Sequence, residues 1–422
     1  MELLIKNAHV CDPQVGIDEI TDIEISGGVI KKIGPSGGGF ERVIDGEGRL
    51  CVLPGLFDMH VHFRDPGQTY KEDLITGANA AKAGGFTGVA CMPNTKPPID
   101  SAERVGYIID KARQTGINIF PIACVTKGMA GEELCDYDEL KAAGVKMISD
   151  DGRPVENAEL MRQAIEKTNE NGLLVASHCE DLKIINGGIM NKGKISEQLG
   201  VKGMDRASED YITAREICLA MSCDAKVHIC HVSTRGSVNI IRAAKRDGVK
   251  VTCETAPHYF CFTDERLLAR DADFRMSPPL RTEDDRQAVL EAVLDGTIDC
   301  IITDHAPHAA EEKADFEKAP NGVVGLETSL AATLTKLYHT GKADLNKIAE
   351  LMSINPRRIM NIEPVKIEVG QVADLCIFDP EHEWEVVPSE LHSKSKNTVF
   401  KGEKLKGKNL YTICGGKVVY QL

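Results

Sequence analysis

No two of the 14 cysteines stand at C-x-x-C spacing, so neither a zinc ribbon nor a thioredoxin-type motif is indicated. No apolar run approaches the roughly 18 residues needed to cross a bilayer. The opening Met1-Glu2-Leu3-Leu4-Ile5-Lys6 has no signal-peptide core. A surplus of positive charge is missing too: 50 Lys and Arg face 64 Asp and Glu, a formal net charge of −14. Binders of phosphate backbones and anionic membranes need the opposite sign, so neither nucleic acid nor membrane is an expected partner. With 38 Gly, 18 Pro, 42% hydrophobic and 27% charged residues in 422, collagen-like, disordered and disulfide-scaffold classes are excluded. The expectation is a soluble, cytoplasmic protein. Its cysteines, several inside apolar runs (Cys124, Cys230, Cys253, Cys300, Cys376), are expected to be buried free thiols.

What is present is a repeat. A Gly closes an amphipathic stretch and a short β-branched run follows. Gly85 precedes Phe86–Met92, Gly116 precedes Ile117–Val125, Gly144 precedes Val145–Ile148, and Gly172 precedes Leu173–Ala176. Gly248 precedes Val249–Cys253 and Gly296 precedes Ile298–Thr303, while Cys51–Phe57 and Ala225–Cys230 complete eight runs. Gly just past a helix supplies the positive φ of an αβ connection. Short, continuously apolar runs suit parallel strands covered on both faces. An α/β fold follows, with a (β/α)8 TIM barrel over 52–364 and a doubly wound open sheet as the alternative. The flanks, 1–51 and 365–422, carry short runs separated by Gly-rich turns such as Gly27-Gly28 and Gly415-Gly416. They read as antiparallel strands, and neither is large enough alone, so one small β-sandwich built from both termini is expected.

The strongest local signal is Asp58-Met59-His60-Val61-His62-Phe63-Arg64, at the end of the first barrel run. Residues two apart on a strand point the same way, so His60 and His62 present both imidazoles to one side. Asp151 follows the fourth run, His178 ends the fifth, His231 the sixth and Asp304 the eighth. Five of eight runs thus deliver His or Asp at the C-terminal edge, where barrel active sites lie. Four His and two Asp suit Zn²⁺, with Mn²⁺, Fe²⁺ or Co²⁺ possible. Six ligands exceed one tetrahedral site, and two ions sharing a bridging carboxylate fit better. His228, three residues before His231, is expected to face away as a core histidine. Asp150 is expected to support the site from behind or to cap a helix. His258 either lines the site or is structural.

These motifs, with Met92-Pro93-Asn94-Thr95, Ser149-Asp150-Asp151-Gly152, His178-Cys179-Glu180-Asp181, His231-Val232-Ser233 and Thr303-Asp304-His305-Ala306-Pro307-His308, stand in one recognisable order. The chain resembles the amidohydrolase superfamily and, within it, the class I dihydroorotases of bacterial type. The resemblance implies that His60, His62 and Asp304 hold one zinc, His178 and His231 a second, and Asp151 bridges them. Related hydantoinases and allantoinases usually bridge with a carboxylated lysine; Lys146 lies five residues before Asp151 and is expected to pack its stem instead. The implied reaction is reversible cyclisation of N-carbamoyl-L-aspartate to (S)-dihydroorotate and water in pyrimidine synthesis, with Asp304 as proton shuttle.

Arg64 offers the planar fork that matches a substrate carboxylate, and the resemblance adds Asn94 and His308 as its companions. It also implies backbone contacts to the ring from Asn321 and Gly322. Ser277 stands where the family usually has Asn, which puts one specificity contact in doubt. The polar stretch Glu311–Asp315 is expected to be either a lid or a plain solvated loop. The competing readings are allantoinase or hydantoinase, and a non-catalytic homologue serving as a scaffold for aspartate transcarbamoylase. A homodimer is the expected assembly.

Overall fold

The computed structural model describes residues 2–422. Eight short strands run parallel: Leu56–Val61, Phe86–Cys91, Asn118–Pro121, Met147–Ile148, Leu174–Ser177, Val227–Ile229, Val251–Thr255 and Cys300–Ile301. The first three form one hydrogen-bonded sheet and the other five a second. Parallel bridges Ala123–Ile148 and Val61–His305 join the two sheets at both seams. The strands therefore follow one another in chain order around a ring. Leu56–Val61 and Phe86–Cys91 are buried at every position, as strands covered on both faces must be.

Helices cover the outside. Arg235–Arg246 illustrates why they form where they do: Val238, Ile241 and Ala244 recur at helical spacing and are buried, and the Thr234 side chain caps the N-terminus by accepting from Ser237 N–H. The six glycines that close the expected helix–strand joints all have φ between 65° and 102°, a region from which L side chains are largely barred. The longest intervals between strands depart from plain helix. Between His178 and Val227 the chain inserts a two-stranded ribbon, Met190–Asn191 with Gly203–Met204, and between Thr255 and Cys300 it carries two 3₁₀ turns.

The terminal segments combine in one sheet of eight strands. Glu2–Asp12, Ile17–Ser26, Val29–Ile33, Arg42–Asp45 and Cys51–Pro54 come from the start of the chain, and Leu375–Glu385, Lys404–Cys414 and Lys417–Gln421 from its end. Instead of two separate layers, this single sheet doubles over, with Val29 bridging to Val372. It encloses its own apolar cluster, including Leu3, Ile5, Ile23, Ile25, Leu375, Ile377 and Ile413.

The expected first barrel run, Cys51–Phe57, divides at Gly55. Residues 51–54 pair with Leu375–Phe378 in the terminal sheet, and only Leu56 onward joins the ring. A Cβ at Gly55 would lie 2.3 Å from the Thr87 side chain, so the crossing strand passes too close for any side chain. All 14 cysteines are free and most are buried; Cys218 is exposed. Among the described residues no helix is long and apolar enough to cross a membrane.

Arg357 locks the junction. Buried at 4% exposure, it donates to Gly55 O and Ser353 Oγ at 2.8 Å and to Thr87 Oγ1 at 3.1 Å, and it stacks 5.0 Å from the Phe57 ring. Arg357→Ala leaves these acceptors unpaired around a cavity and is expected to cost about 2–4 kcal/mol. The thermal midpoint should fall by several degrees; an unchanged midpoint would show that Arg357 does not hold the junction.

Candidate active site

The ends of the first, fourth, fifth, sixth and eighth strands deliver side chains into one mouth of the ring. His60 and His62 have ring centroids 5.3 Å apart. Asp58, at the head of the same motif, turns the strand end toward the last strand by accepting from the His60 and Thr303 backbone N–H groups at 3.0 Å each. Burial raises its carboxyl to about 7.

Asp151 sits at the centre. Its Oδ1 lies 3.3 Å from His60 Nε2, 3.6 Å from His178 Nδ1 and 3.7 Å from His231 Nε2, and its Oδ2 lies 3.4 Å from His62 Nε2. Asp304 Oδ1 approaches His62 Nε2 at 3.2 Å and His60 Nε2 at 3.7 Å. Two triads close enough to share an ion, His60–His62–Asp151 and Asp151–His178–His231, have Asp151 in common. A third, His60–Cys230–Glu254, lies on the other edge of the His60 ring. Burial works to raise Asp151, but the charge of His60 and the close approach of the His178 and His231 rings hold it well below the usual carboxylate range. Burial likewise opposes charge on His178, yet Asp151 and Glu180 lift it to about 10.

The donor set fits a cation. His60 Nε2 and Asp151 Oδ1 are both buried and face each other, yet neither is aligned into a hydrogen bond. His178 Nδ1 and His231 Nε2 converge to 2.9 Å. The outward nitrogens are held: His60 Nδ1 by Glu254 Oε1 at 2.6 Å, His62 Nδ1 by Asn94 Oδ1 at 2.8 Å, and His178 Nε2 by Glu180 Oε2 at 2.8 Å. Such partners leave one nitrogen of each ring free for a metal. Glu254 escaped sequence reasoning because nothing marks it in the strand Val251–Thr255. Glu180 was visible only as part of a motif.

A cavity of about 340 Å³ opens above this cluster. Arg64, Asn94, Ser277, His308, Asn321 and Gly322 all line it, together with His62, Asp151, His178, His231 and Asp304. Arg64, three residues past the strand end at Val61, has a positive φ of 58°, and its Nε donates to Pro307 O at 3.2 Å. His308 Nε2 lies 2.9 Å from Asn321 O, and its Nδ1 lies 3.2 Å from Lys71 Nζ. At Gly322, φ is 144° and a Cβ would meet Ala306 O at 2.6 Å, so backbone alone forms this wall.

The stretch 48–237 matches the family model described as dihydro-orotase-like. A dihydroorotase from Geobacter sp. strain M21 is 51% identical over the whole of both chains. Another, from Acetivibrio thermocellus, is 47% identical over 99% of this chain and 98% of its own. The chain belongs to the dihydroorotase family. Among solved structures, the L-hydantoinase (dihydropyrimidinase) of Arthrobacter aurescens gives a TM-score of 0.87 at 24% identity, covering all of this chain and 96% of its own. The dihydropyrimidinase of Brevibacillus agri NCHU1002 gives 0.86 at 23%, covering all of this chain and 95% of its own. At such identity the likeness is one of fold.

Ser277, expected from the sequence to stand in place of an Asn, is engaged within the protein. Its Oγ donates to Glu180 Oε2 at 2.6 Å, so the hydroxyl is turned to the carboxylate behind His178. Several neighbouring residues lie elsewhere than at the ligand cluster. Asp150 accepts from Val125 N at 2.8 Å and Thr126 N at 3.2 Å; it ties two strand ends together and caps no helix. Lys146 is exposed just before the strand Met147–Ile148, so its stem is not packed as expected. His258 is buried with Nε2 unpartnered, and burial lowers it to about 4. The Glu311–Asp315 segment is pinned: Lys313 Nζ donates to Pro320 O at 2.9 Å and Arg275 O at 3.2 Å, and Glu312 pairs with Lys71 at 2.9 Å. Asn397, from the C-terminal segment, donates to Gly322 O at 2.9 Å and accepts from His308 N at 3.1 Å.

Burial first, then the charges of Arg64, Lys71 and Lys313, push His308 down to about 2. It is therefore neutral throughout the working range of pH, with Nε2–H donated to Asn321 O and Nδ1 accepting from Lys71. Nitrogen NMR of the His308 ring should show no titration between about pH 5 and 8, where an unperturbed histidine changes charge. A midpoint near the ordinary histidine value would contradict this.

Proposed function

We propose that the chain catalyses the reversible cyclisation of N-carbamoyl-L-aspartate to (S)-dihydroorotate and water, in de novo pyrimidine synthesis. The observation that carries the reading is the pair of His/Asp triads sharing Asp151, in one cavity with the buried Arg64 guanidinium. Full-length relatives at 47–51% identity bear the name dihydroorotase, which supports the substrate. The ring of eight parallel strands is read as a (β/α)8 barrel, carrying the catalytic unit from Gly55 to about 364. The terminal sheet forms the second unit.

In this reading His60, His62 and Asp304 would hold one zinc and His178 and His231 another, with Asp151 placed between them to serve both. Bound there, the ions would lower the pKa of water from about 15.7 toward roughly 7 and polarise a ring carbonyl. Asp304 then serves as the proton carrier. It takes a proton as the water oxygen bonds to the carbonyl carbon, and delivers it to the ring nitrogen as the C–N bond breaks. Cyclisation runs the same transfers backwards and releases water. Burial opposes charge on Asp304, but the neighbouring histidines hold its pKa down and keep it ionised.

Arg64 binds the substrate carboxylate through its planar fork, with Asn94 and His308 on the same wall. Asn321 and Gly322 present backbone to the ring. Ser277, committed to Glu180, contributes less to the substrate than an Asn would. The small-molecule reading is completed by a cytoplasmic homodimer that associates with aspartate transcarbamoylase. All six candidate ligands face one mouth, which favours an enzyme over a scaffold homologue.

Asp304→Asn is expected to abolish turnover of dihydroorotate while most metal is retained, measured by assay and elemental analysis on the same sample. Wild-type-like turnover would refute the shuttle. Arg64→Gln should raise KM for dihydroorotate by 10-fold or more, about 1.4 kcal/mol or above, while a neutral hydantoin loses little. Equal losses for both substrates would show that Arg64 does not read the carboxylate.

A further inference from the structure

We propose that Glu254, His228 and Thr252 form a positioning chain, running from the half-buried Thr252 inward, that fixes the tautomer of His60 and so sets the affinity of the metal position His60 shares with His62. This rests on the metal-ligand reading of the cluster.

The three residues lie on neighbouring interior positions of the ring. Thr252 and Glu254 are two apart on the strand Val251–Thr255 and so face the same way. His228, on the adjacent strand Val227–Ile229, is the register partner of Thr252. Barrel interiors are ordinarily filled by branched apolar side chains. Here His228 and His60 are fully buried and Glu254 is 1% exposed, a placement that is costly unless each polar atom is matched.

His60 Nδ1 is hydrogen-bonded to Glu254, whereas His228 Nε2 and Glu254 Oε2 lie close without being aligned into a hydrogen bond. Glu254 Oε1 lies 2.6 Å from His60 Nδ1 and Oε2 lies 3.1 Å from His228 Nε2. His228 Nδ1 lies 2.8 Å from Thr252 Oγ1. An ionised carboxylate only accepts, so His60 turns an N–H toward it, and in this proposal the nearby His228 Nε2 carries a proton on the same side. His228, with its proton on Nε2, accepts at Nδ1 from the Thr252 hydroxyl. In the neutral ring that would take a metal, a proton on Nδ1 leaves the lone pair of His60 on Nε2, the nitrogen that lies 3.3 Å from Asp151 and 3.7 Å from Asp304. Without Glu254 the two tautomers of His60 would compete, and the one protonated at Nε2 cannot bind a metal. Without the Thr252 hydroxyl, His228 could instead turn a lone pair toward Glu254 and weaken its hold. The residues touch neither substrate nor metal; they act through His60.

The test is a chelator-competition zinc titration of the full-length protein stripped of metal, alongside its thermal midpoint. Wild type should take up two zinc ions. Glu254→Gln and His228→Phe should each weaken one of the two by about 10–100-fold, leaving the other and the midpoint of the stripped protein nearly unchanged. Thr252→Val, which keeps shape and volume, should weaken the same ion several-fold and decides the matter if the core variants fail to fold. Unchanged affinities, or equal weakening of both ions, would overturn the chain while leaving the metal centre intact. A wild type that binds no zinc would overturn both.

Discussion

The structure depends on burying the carboxylate of Asp151 among four imidazoles. A carboxylate taken out of water carries a penalty of several kcal/mol unless opposite charge or donors surround it. No local segment of chain can supply four such partners, so they must come from separate strands. The ring of parallel strands meets this need because its C-terminal ends converge on one mouth. His60 and His62 arrive from the first strand, His178 from the fifth, His231 from the sixth and Asp304 from the eighth. Each then stands within reach of a group it could not otherwise meet.

The surroundings of the cluster serve the same end. Glu254, Asn94 and Glu180 take the outer nitrogens of three imidazoles, and this leaves the inner ones to converge. Asp58 and Asp150 do comparable work on backbone: Asp58 gathers amides from the first and last strand ends, and Asp150 takes two consecutive amides beyond the third. The long intervals after the fifth and seventh strands build the walls: Leu182, Ile185 and Met204 come from the first, Ser277 from the second.

The C-terminal segment is more than a lid on the terminal sheet. Ser393 and Lys394 hold Glu72, while Asn397 reaches His308 and Gly322. The two units therefore share a site, and Arg357 binds them where the chain crosses from sheet to ring at Gly55. Here the reading from sequence fell short. The run Cys51–Phe57 is evenly apolar, and periodicity cannot tell that its first half belongs to another sheet. That division is decided by the closeness of Thr87 to Gly55 and by pairing with Leu375–Phe378.

Much of the molecule is legible in order and spacing alone. A Gly at each helix end, followed by a β-branched run, marks the units, since only Gly takes the backbone turn at no steric cost. His60-x-His62 is informative because a strand alternates its side chains strictly. The polar strand ends at Asp151, His178, His231 and Asp304 break runs that are otherwise apolar, and this makes them visible. Other features leave no such trace. Glu254 and His228 sit in ordinary strands, and Asn397 lies in an unremarkable segment some 90 residues from its partner His308. Ser277 reads as a missing substrate contact until its hydroxyl is seen against Glu180. Local chemistry determines which groups can ligate, cap or turn, and the amino-acid sequence carries that directly. Which carboxylate faces which imidazole depends on contacts across tens to hundreds of residues, and those exist only once the ring has closed.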